Sequence, residues 1–313
     1  MSGLRLFEPQ ASTIAERVDA LFVTLLVVSA IVMIGVWAVM IWFAVRYRRG
    51  STADRSAPPD RHVVIELAWT LIPFAIFLGV FAWSIALFAE MQTPPKDAQT
   101  MYVLAQQWFW KIEHAGGVTE LNELHVPIGT PVRLLMTSQD VIHSFYLPAF
   151  RVKQDVLPGR YTQLWFKATT PGEYPLDCAE YCGTNHAGMG GRVIVMAVTD
   201  YARWLAGHAG ATSLAQRGAG LFRSLGCSGC HGENAQVHAP SLDDVYGRPV
   251  PLANGTTKLA DENYLRDSIL LPQKDIVAGY APIMPSYVGQ IGEEDVLALV
   301  AYIESLHRRP EPP

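Results

Sequence analysis

Cysteine is scarce in this chain: there are four in 313 residues, and all four fall within residues 178–182 and 227–230. No thiol is left for any role outside those two segments. Charge is also unassertive. The formal net charge of −5 gives no reason to expect a nucleic-acid partner. Internal repeats and low-complexity tracts are absent. Residues 1–17 lack a separate apolar stretch and a small-residue cleavage site, so they do not read as a removable signal peptide. Two long apolar runs contain no histidine, which excludes a metal or haem site built on histidines within them.

Those two runs hold much of the apolar excess. Residues 20–45 carry no charged side chain, and residues 63–89 carry only Glu66. Each exceeds the roughly 20 residues that cross a bilayer as a helix. Between them Arg46, Arg48, Arg49, Arg55 and Arg61 face only Asp54 and Asp60. Short basic loops stay in the cytoplasm. The expectation is a two-helix membrane hairpin, with the N-terminus and everything after Glu90 on the outer side. Glu66 sits four residues in from the cytoplasmic edge. A carboxylate there is costly and is by default a functional candidate, with snorkelling to the interface as the plainer reading.

Met91-Gln-Thr-Pro-Pro-Lys96 ends the second run and begins a different texture. From Thr100 to about Thr199, short aromatic and β-branched runs alternate with Pro/Gly turns, as in Val132–Met136, Tyr161–Phe166 and Arg192–Val198. That spacing predicts an antiparallel β-sandwich of about 100 residues. Residues 201–212 read as a linker with a short helical piece around Tyr201–Leu205. Beyond it, Leu214, Gly218, Leu221, Phe222 and Leu225 recur at helical spacing. Glu293-Glu-Asp295 starts a last helix, since carboxylates favour the positive end of the helix dipole. The division expected is 1–95, 96–200, 201–212 and 213–313.

Cys178-Ala-Glu-Tyr-Cys182-Gly-Thr-Asn-His186-Ala-Gly-Met189 is the most specific stretch. Taken singly, its Cys pair reads as a disulfide and its Met as packing. Together, two thiolates, an imidazole and a thioether within a dozen residues suit copper, which soft sulfur ligands select. Gly183 and Gly188 leave the backbone free to fold around a metal. A second histidine stands upstream in Asp140-Val-Ile-His143. A single blue copper needs one Cys, two His and a weak axial ligand. Two Cys, two His, one Met and a spare backbone carbonyl fit two coppers bridged by both thiolates.

Cys227-Ser-Gly-Cys230-His231 reads as covalent attachment of a c-type haem, with His231 as the proximal iron ligand. Met raises the potential of such iron, and Met284 lies in the Pro-punctuated loop Ala281–Ser286. His238 is the competing distal candidate. A zinc site lacks a second ligand cluster at fitting spacing, and a redox dithiol leaves His231 unexplained. Residues 214–308 hold seven Lys/Arg against eleven Asp/Glu, an excess of acid that would attract a basic donor.

With these residues in view, the chain resembles subunit II of the haem–copper cytochrome c oxidases, in the caa-type variant that carries a fused cytochrome c. The resemblance implies a multi-domain fold: a two-helix transmembrane hairpin, a cupredoxin-like Greek-key β-sandwich and an all-α class I cytochrome c domain. It implies a binuclear copper A centre with Cys178 and Cys182 as bridging thiolates and His143 and His186 as terminal ligands. Met189 and the carbonyl of Glu180 would be the weak ligands. The Glu180 carboxylate would face a magnesium shared with the catalytic subunit. Gln107-Trp-Phe-Trp110 is similar to the family's aromatic cluster, with Trp108 where electrons enter the copper site. Glu66-Leu-Ala-Trp-Thr-Leu-Ile-Pro73 resembles the second span, whose Glu marks a proton entrance. Phe109 and Lys111-Ile-Glu-His114 depart from the family pattern at the donor surface.

The same resemblance implies an electron-transfer subunit of a proton-pumping oxidase, partnered by subunits I and III and fed by a cytochrome c or a quinol-oxidising complex. It would reside in a bacterial inner membrane with its domains on the periplasmic side. It would contain no oxygen-reducing site of its own. A nitrous-oxide-reductase-like enzyme would need a large histidine-rich domain that is not here. A nitric-oxide-reducing relative of the oxidase, or a membrane-anchored copper and haem carrier, are the alternatives.

Overall fold

The uncharged run and its flanks form one long helix, α1 (Thr13–Arg46), and the second run forms α2 (Val63–Gln92). The structure is a computed structural model that describes residues 8–56, 61–114, 116–208, 212–232, 235 and 237–307. Asp60 and residues 209–211 of the expected linker lie outside the described residues. Both helices leave large apolar side chains uncovered along their length, for example Ile31 at 65% and Phe77 at 62% exposure, a surface suited to lipid. Pro73 lies inside α2 without ending it. At 34 residues and 1.5 Å per residue, α1 is about 51 Å long, well beyond the roughly 30 Å of hydrocarbon.

The surplus length has a purpose at the N-terminal end. Ala11, Ile14 and Ala15 are buried in the domain that follows. The Ser12 hydroxyl accepts the Ala15 N–H at 3.0 Å, capping the helix, and donates to the Phe150 carbonyl at 2.9 Å. Arg151 holds Asp19 at 2.9 and 3.0 Å, and the Trp165 indole donates to the Glu90 carbonyl at 2.9 Å. The ends of both helices are thus fastened to the next domain.

That domain has ten strands: β1 (Gln99–Gln106), β2 (Phe109–Glu113), β3 (Thr119–Leu121), β4 (Glu123–Pro127), β5 (Pro131–Ser138), β6 (His143–Leu147), β7 (Val152–Val156), β8 (Thr162–Lys167), β9 (Gly172–Cys178) and β10 (Gly190–Met196). They form two five-stranded sheets, β3-β2-β1-β5-β8 and β4-β10-β9-β6-β7. Trp110, Ile112, Leu134, Phe145, Phe166 and Leu176 fill the space between them and are fully buried. The expected antiparallel pattern is only part of it. β1 pairs parallel with β5, and β4 parallel with β10, because the chain changes sheets between these partners and returns in the same direction.

The segment expected as a linker begins with a helix longer than anticipated, α3 (Val198–His208). Its Tyr201 is buried against the sandwich. The last domain contains α4 (Leu214–Ser224), α5 (Ser228–His231), a small ribbon of β11 (Pro249–Pro251) and β12 (Thr257–Leu259), α6 (Glu262–Leu270) and α7 (Glu293–Ser305). A capping box of Ser213 and Gln216 starts α4, and Asp261 caps α6. Helices α4 and α7 touch backbone to backbone at Gly218, where a Cβ would come within 2.0 Å of the Ala298 carbonyl oxygen.

Candidate metal centre and neighbouring cleft

β6 opens on His143, and its pairing with β9 sets Phe145 opposite Cys178, the last residue of β9. The loop from Cys178 to β10 closes through a 3-10 turn at His186–Gly188. Gly183 has φ +118°, and a Cβ there would meet the Gln107 amide nitrogen at 2.8 Å, so the loop packs directly against the β1–β2 turn. The result gathers soft donors from three places in the sequence. Cys178 Sγ and Cys182 Sγ lie 3.8 Å apart, and both thiols are free, far from the roughly 2.05 Å of a disulfide. Cys182 Sγ is 3.5 Å from His186 Nδ1 and 3.7 Å from Met189 Sδ. Cys178 Sγ is 3.3 Å from the Glu180 carbonyl oxygen. A nitrogen of His143 and the sulfurs of Cys178 and Cys182 all fall within 4.8 Å of one another.

The donor set fits a thiolate-bridged metal pair, and one buried atom tests this. His143 Nε2 lies 2.8 Å from Asp140 Oδ1, which assigns the proton to Nε2. Nδ1 is left buried without a hydrogen-bond partner, a lone pair that a metal beside the Cys178 thiol would satisfy. Ionisation of the thiols is uneven. Burial opposes it at Cys178, but His143 and the Ser144 backbone outweigh burial and bring that thiol down to about 6. Burial and the neighbouring Cys178 charge push Cys182 up to about 12. A bound cation is what lets two adjacent thiolates coexist.

Of the sequence candidates, His143, Cys178, Glu180 through its carbonyl, Cys182, His186 and Met189 are brought together. Trp108 joins them: its indole N–H donates to the Cys182 carbonyl at 3.2 Å. The Glu180 carboxylate is exposed. Glu66 stands apart, exposed in the first turn of α2, with its carboxylate 3.4 Å from the His62 N–H. Two neighbours were not anticipated. Gln107 donates to the Cys182 carbonyl at 2.7 Å, and Asp140 accepts the Gln107 N–H at 2.7 Å as well as holding His143. The spacing Asp140-x-x-His143 was the available signal.

In the last domain, Cys227, Cys230, His231 and Met284 all line one apolar cleft. The cleft encloses about 1370 Å³ not filled by protein atoms, part of it open to solvent. His231 Nδ1 lies 2.9 Å from the Pro240 carbonyl oxygen. A donated N–H there leaves Nε2 as the free ligand atom, the usual second contact of a metal-binding imidazole. Pro240 is a further residue not anticipated. His238, stacked on Tyr280 with ring centres 4.6 Å apart, also lines the cleft. The residues fit a haem held by two thioethers.

An exposed apolar hairpin, a sulfur-rich metal loop on a β-sandwich and a Cys-x-x-Cys-His cleft define a membrane-anchored redox protein with two cofactor domains. Residues 2–87 match the cytochrome c oxidase subunit II transmembrane domain, 116–198 its periplasmic domain, and 215–307 cytochrome c. Cytochrome c oxidase subunit 2 of Alkalihalophilus pseudofirmus is 30% identical over 95% of this chain and 88% of its own length. That of Thermostichus vulcanus is 32% identical over 64% and 77%. A crystal structure of the periplasmic domain of subunit II of cytochrome oxidase from Bradyrhizobium japonicum is 32% identical, covering 37% of this chain and 96% of that one, with a TM-score of 0.36.

The chain belongs to the cytochrome c oxidase subunit II family, with a cytochrome c domain fused at its C-terminal side. It is a membrane-anchored electron-transfer subunit of an oxidase, and its family associates it with other oxidase subunits such as subunit I. Its two soluble domains imply copper A and haem c.

Proposed function

We propose that this chain carries electrons from an external cytochrome c or quinol-oxidising complex through its cytochrome domain, then through its copper domain, to haem in subunit I, where oxygen becomes water and protons are pumped. His143, Cys178, Cys182, His186, Met189 and the Glu180 carbonyl would hold two coppers. When bound, the pair supplies one-electron storage spread over two metals, so that little needs to reorganise. Cys227 and Cys230 would anchor the haem, His231 would ligate it from one side and Met284 from the other.

The chain's own groups do the positioning. Asp140 fixes the His143 tautomer, Pro240 that of His231, and Gln107 and Trp108 tie the Cys182 carbonyl to the β1–β2 turn. Trp108 is the residue through which electrons reach the copper site. Glu66 opens a proton path toward subunit I, and the exposed Glu180 carboxylate meets a magnesium at that contact. Subunit III completes the assembly. The membrane is a bacterial inner membrane, with residues 1–95 as anchor, 96–200 and 213–313 as the periplasmic domains and 201–212 joining them. This chain contributes no oxygen-reducing site.

The observation that supports this most is the unpartnered His143 Nδ1 facing two free thiols. The test is low-temperature EPR of the full chain in detergent after copper loading, with haem content scored in parallel. A hyperfine pattern from one electron shared by two copper nuclei, together with low-spin haem, is expected. A single-copper pattern overturns the binuclear assignment.

A further inference from the structure

We infer that the cytochrome domain, as seated here, is docked by its back, and that it leaves this seat to pass its electron to the copper domain. The inference rests on the relay proposed above. Its contacts with the outer face of β1, β2 and β5 run through a network of charges. Arg217 spans Glu294 at 3.0 Å and Glu113 at 3.1 Å, and Lys111 shares Glu294 at 2.8 Å. Further along the face, Arg133 meets Glu262 at 2.5 Å and Asn263 accepts the Tyr161 N–H at 2.9 Å.

None of these groups lines the haem cleft, and no described residue of the copper domain does either. Helix α7 explains why. At about 100° per residue, Leu297 and Glu304 share the face turned to the copper domain, where Leu297 lines the seam and Glu304 meets Tyr102. Leu299 lies on the opposite face and Ile303 on the flank between, and both line the cleft. A full helix, about 10 Å thick with its side chains, therefore separates the cleft from the first sheet. The second sheet, which carries His143 and Cys178, lies about 10 Å further on. Electron tunnelling falls exponentially with distance, so this seat is poor for delivery. It does leave the cleft open to an outside donor.

Arg133, Glu262, Leu135 and Tyr161 form the buried centre of the seat, and its rim is the part that releases readily. Lys111, Arg217 and Glu294 there are 28–35% exposed, where ion pairs are weak and screened by salt. Glu113 Oε1 is buried there without a hydrogen-bond partner, and burial raises its pKa. Undocking hydrates that oxygen and recovers part of the cost. At the copper end, Trp108 is only half-buried and Tyr181 is 75% exposed, open to an approaching cytochrome domain. The transfer itself moves one electron from the reduced cytochrome domain to the oxidised copper domain, with no atom exchanged.

The test uses the full chain in detergent, carrying haem and copper, as wild type, Arg217→Ala and Lys111→Ala. Haem is photoreduced and arrival of the electron is followed in the copper absorbance, at low and high salt. Both variants are expected to speed transfer roughly fivefold at low salt and to lose the salt acceleration seen in wild type. Without cofactors, radical footprinting of Tyr161, only 3% exposed in the seat, should rise in step. If Tyr161 becomes accessible while transfer is unchanged or slower, the docked seat is the delivering one and the inference falls. If no form transfers at all, the relay falls with it.

Discussion

His143 and His231 show how a backbone or carboxylate partner selects which nitrogen of a ring is left free. His143 gives Nε2–H to Asp140 and keeps Nδ1 free; His231 gives Nδ1–H to Pro240 and keeps Nε2 free. The candidate ligands that the structure gathers were legible in the sequence because donor type and short spacing are local properties. Asp140, Gln107 and Pro240 were not, since their roles exist only once distant turns meet. One choice stays with residues facing the same cleft: Met284 and His238. With Met284 as the iron ligand, Met284→Ala should leave haem bound through Cys227 and Cys230 but lower its potential. Axial ligands span about 0.8 V, so a fall on the order of 0.1 V is expected in a redox titration. An unchanged potential, with His238→Ala shifting it instead, would reassign the ligand.

At the scale of elements, the two apolar helices, α4 and α7 were readable because each carries a long, regular apolar signal. Helix α3 reads mostly as linker. Its apolar residues Tyr201, Trp204 and Leu205 have no partner until the sandwich supplies one. They meet a buried Glu120 whose carboxylate lies 2.6 Å from His114 Nε2 and 2.5 Å from His125 Nδ1. His114 Nδ1 lies 2.8 Å from the Tyr201 hydroxyl, and His125 stacks on Trp204 at 4.4 Å. Burial works against the Glu120 charge, but the hydrogen bonds from His114 and His125 outweigh it and bring the carboxyl from 4.5 to about 2. A carboxyl lowered on folding stabilises above its unfolded value, and that contribution is lost as pH falls toward the folded one. Glu120 should therefore contribute up to about 3 kcal/mol at neutral pH. Glu120→Gln should unfold at lower denaturant at pH 7, with the gap to wild type closing between about pH 4.5 and about 2. A gap independent of pH over that range would show that lost packing, not the charge, is responsible.

For the whole molecule, the order of anchor, sandwich and cytochrome could be read from the apolar runs, the strand texture and the Cys-x-x-Cys-His motif, but the seating of one domain on another could not. Hydropathy records that a side chain is apolar, not which of two surfaces it meets. Leu135 and Tyr161 read as ordinary strand residues, yet they pack in the core of the cytochrome domain. Orientation in the membrane is different, because it follows from charge. Arg46 ends the first helix and four more arginines lie between it and the second, and a loop that basic resists translocation. The extension of α1 into the sandwich and the tie from Trp165 to Glu90 place the copper domain at the opposite end of both helices. Cysteines introduced in a copper-loaded, haem-loaded protein at exposed Ser56, in the basic loop, and exposed Lys153, on β7, should then differ. In sealed spheroplasts a membrane-impermeant maleimide should label Lys153→Cys and leave Ser56→Cys unmodified until the membrane is opened. Equal labelling of both would mean that the hairpin does not cross the bilayer, and the reverse pattern would place both cofactor domains in the cytoplasm, out of reach of any periplasmic donor.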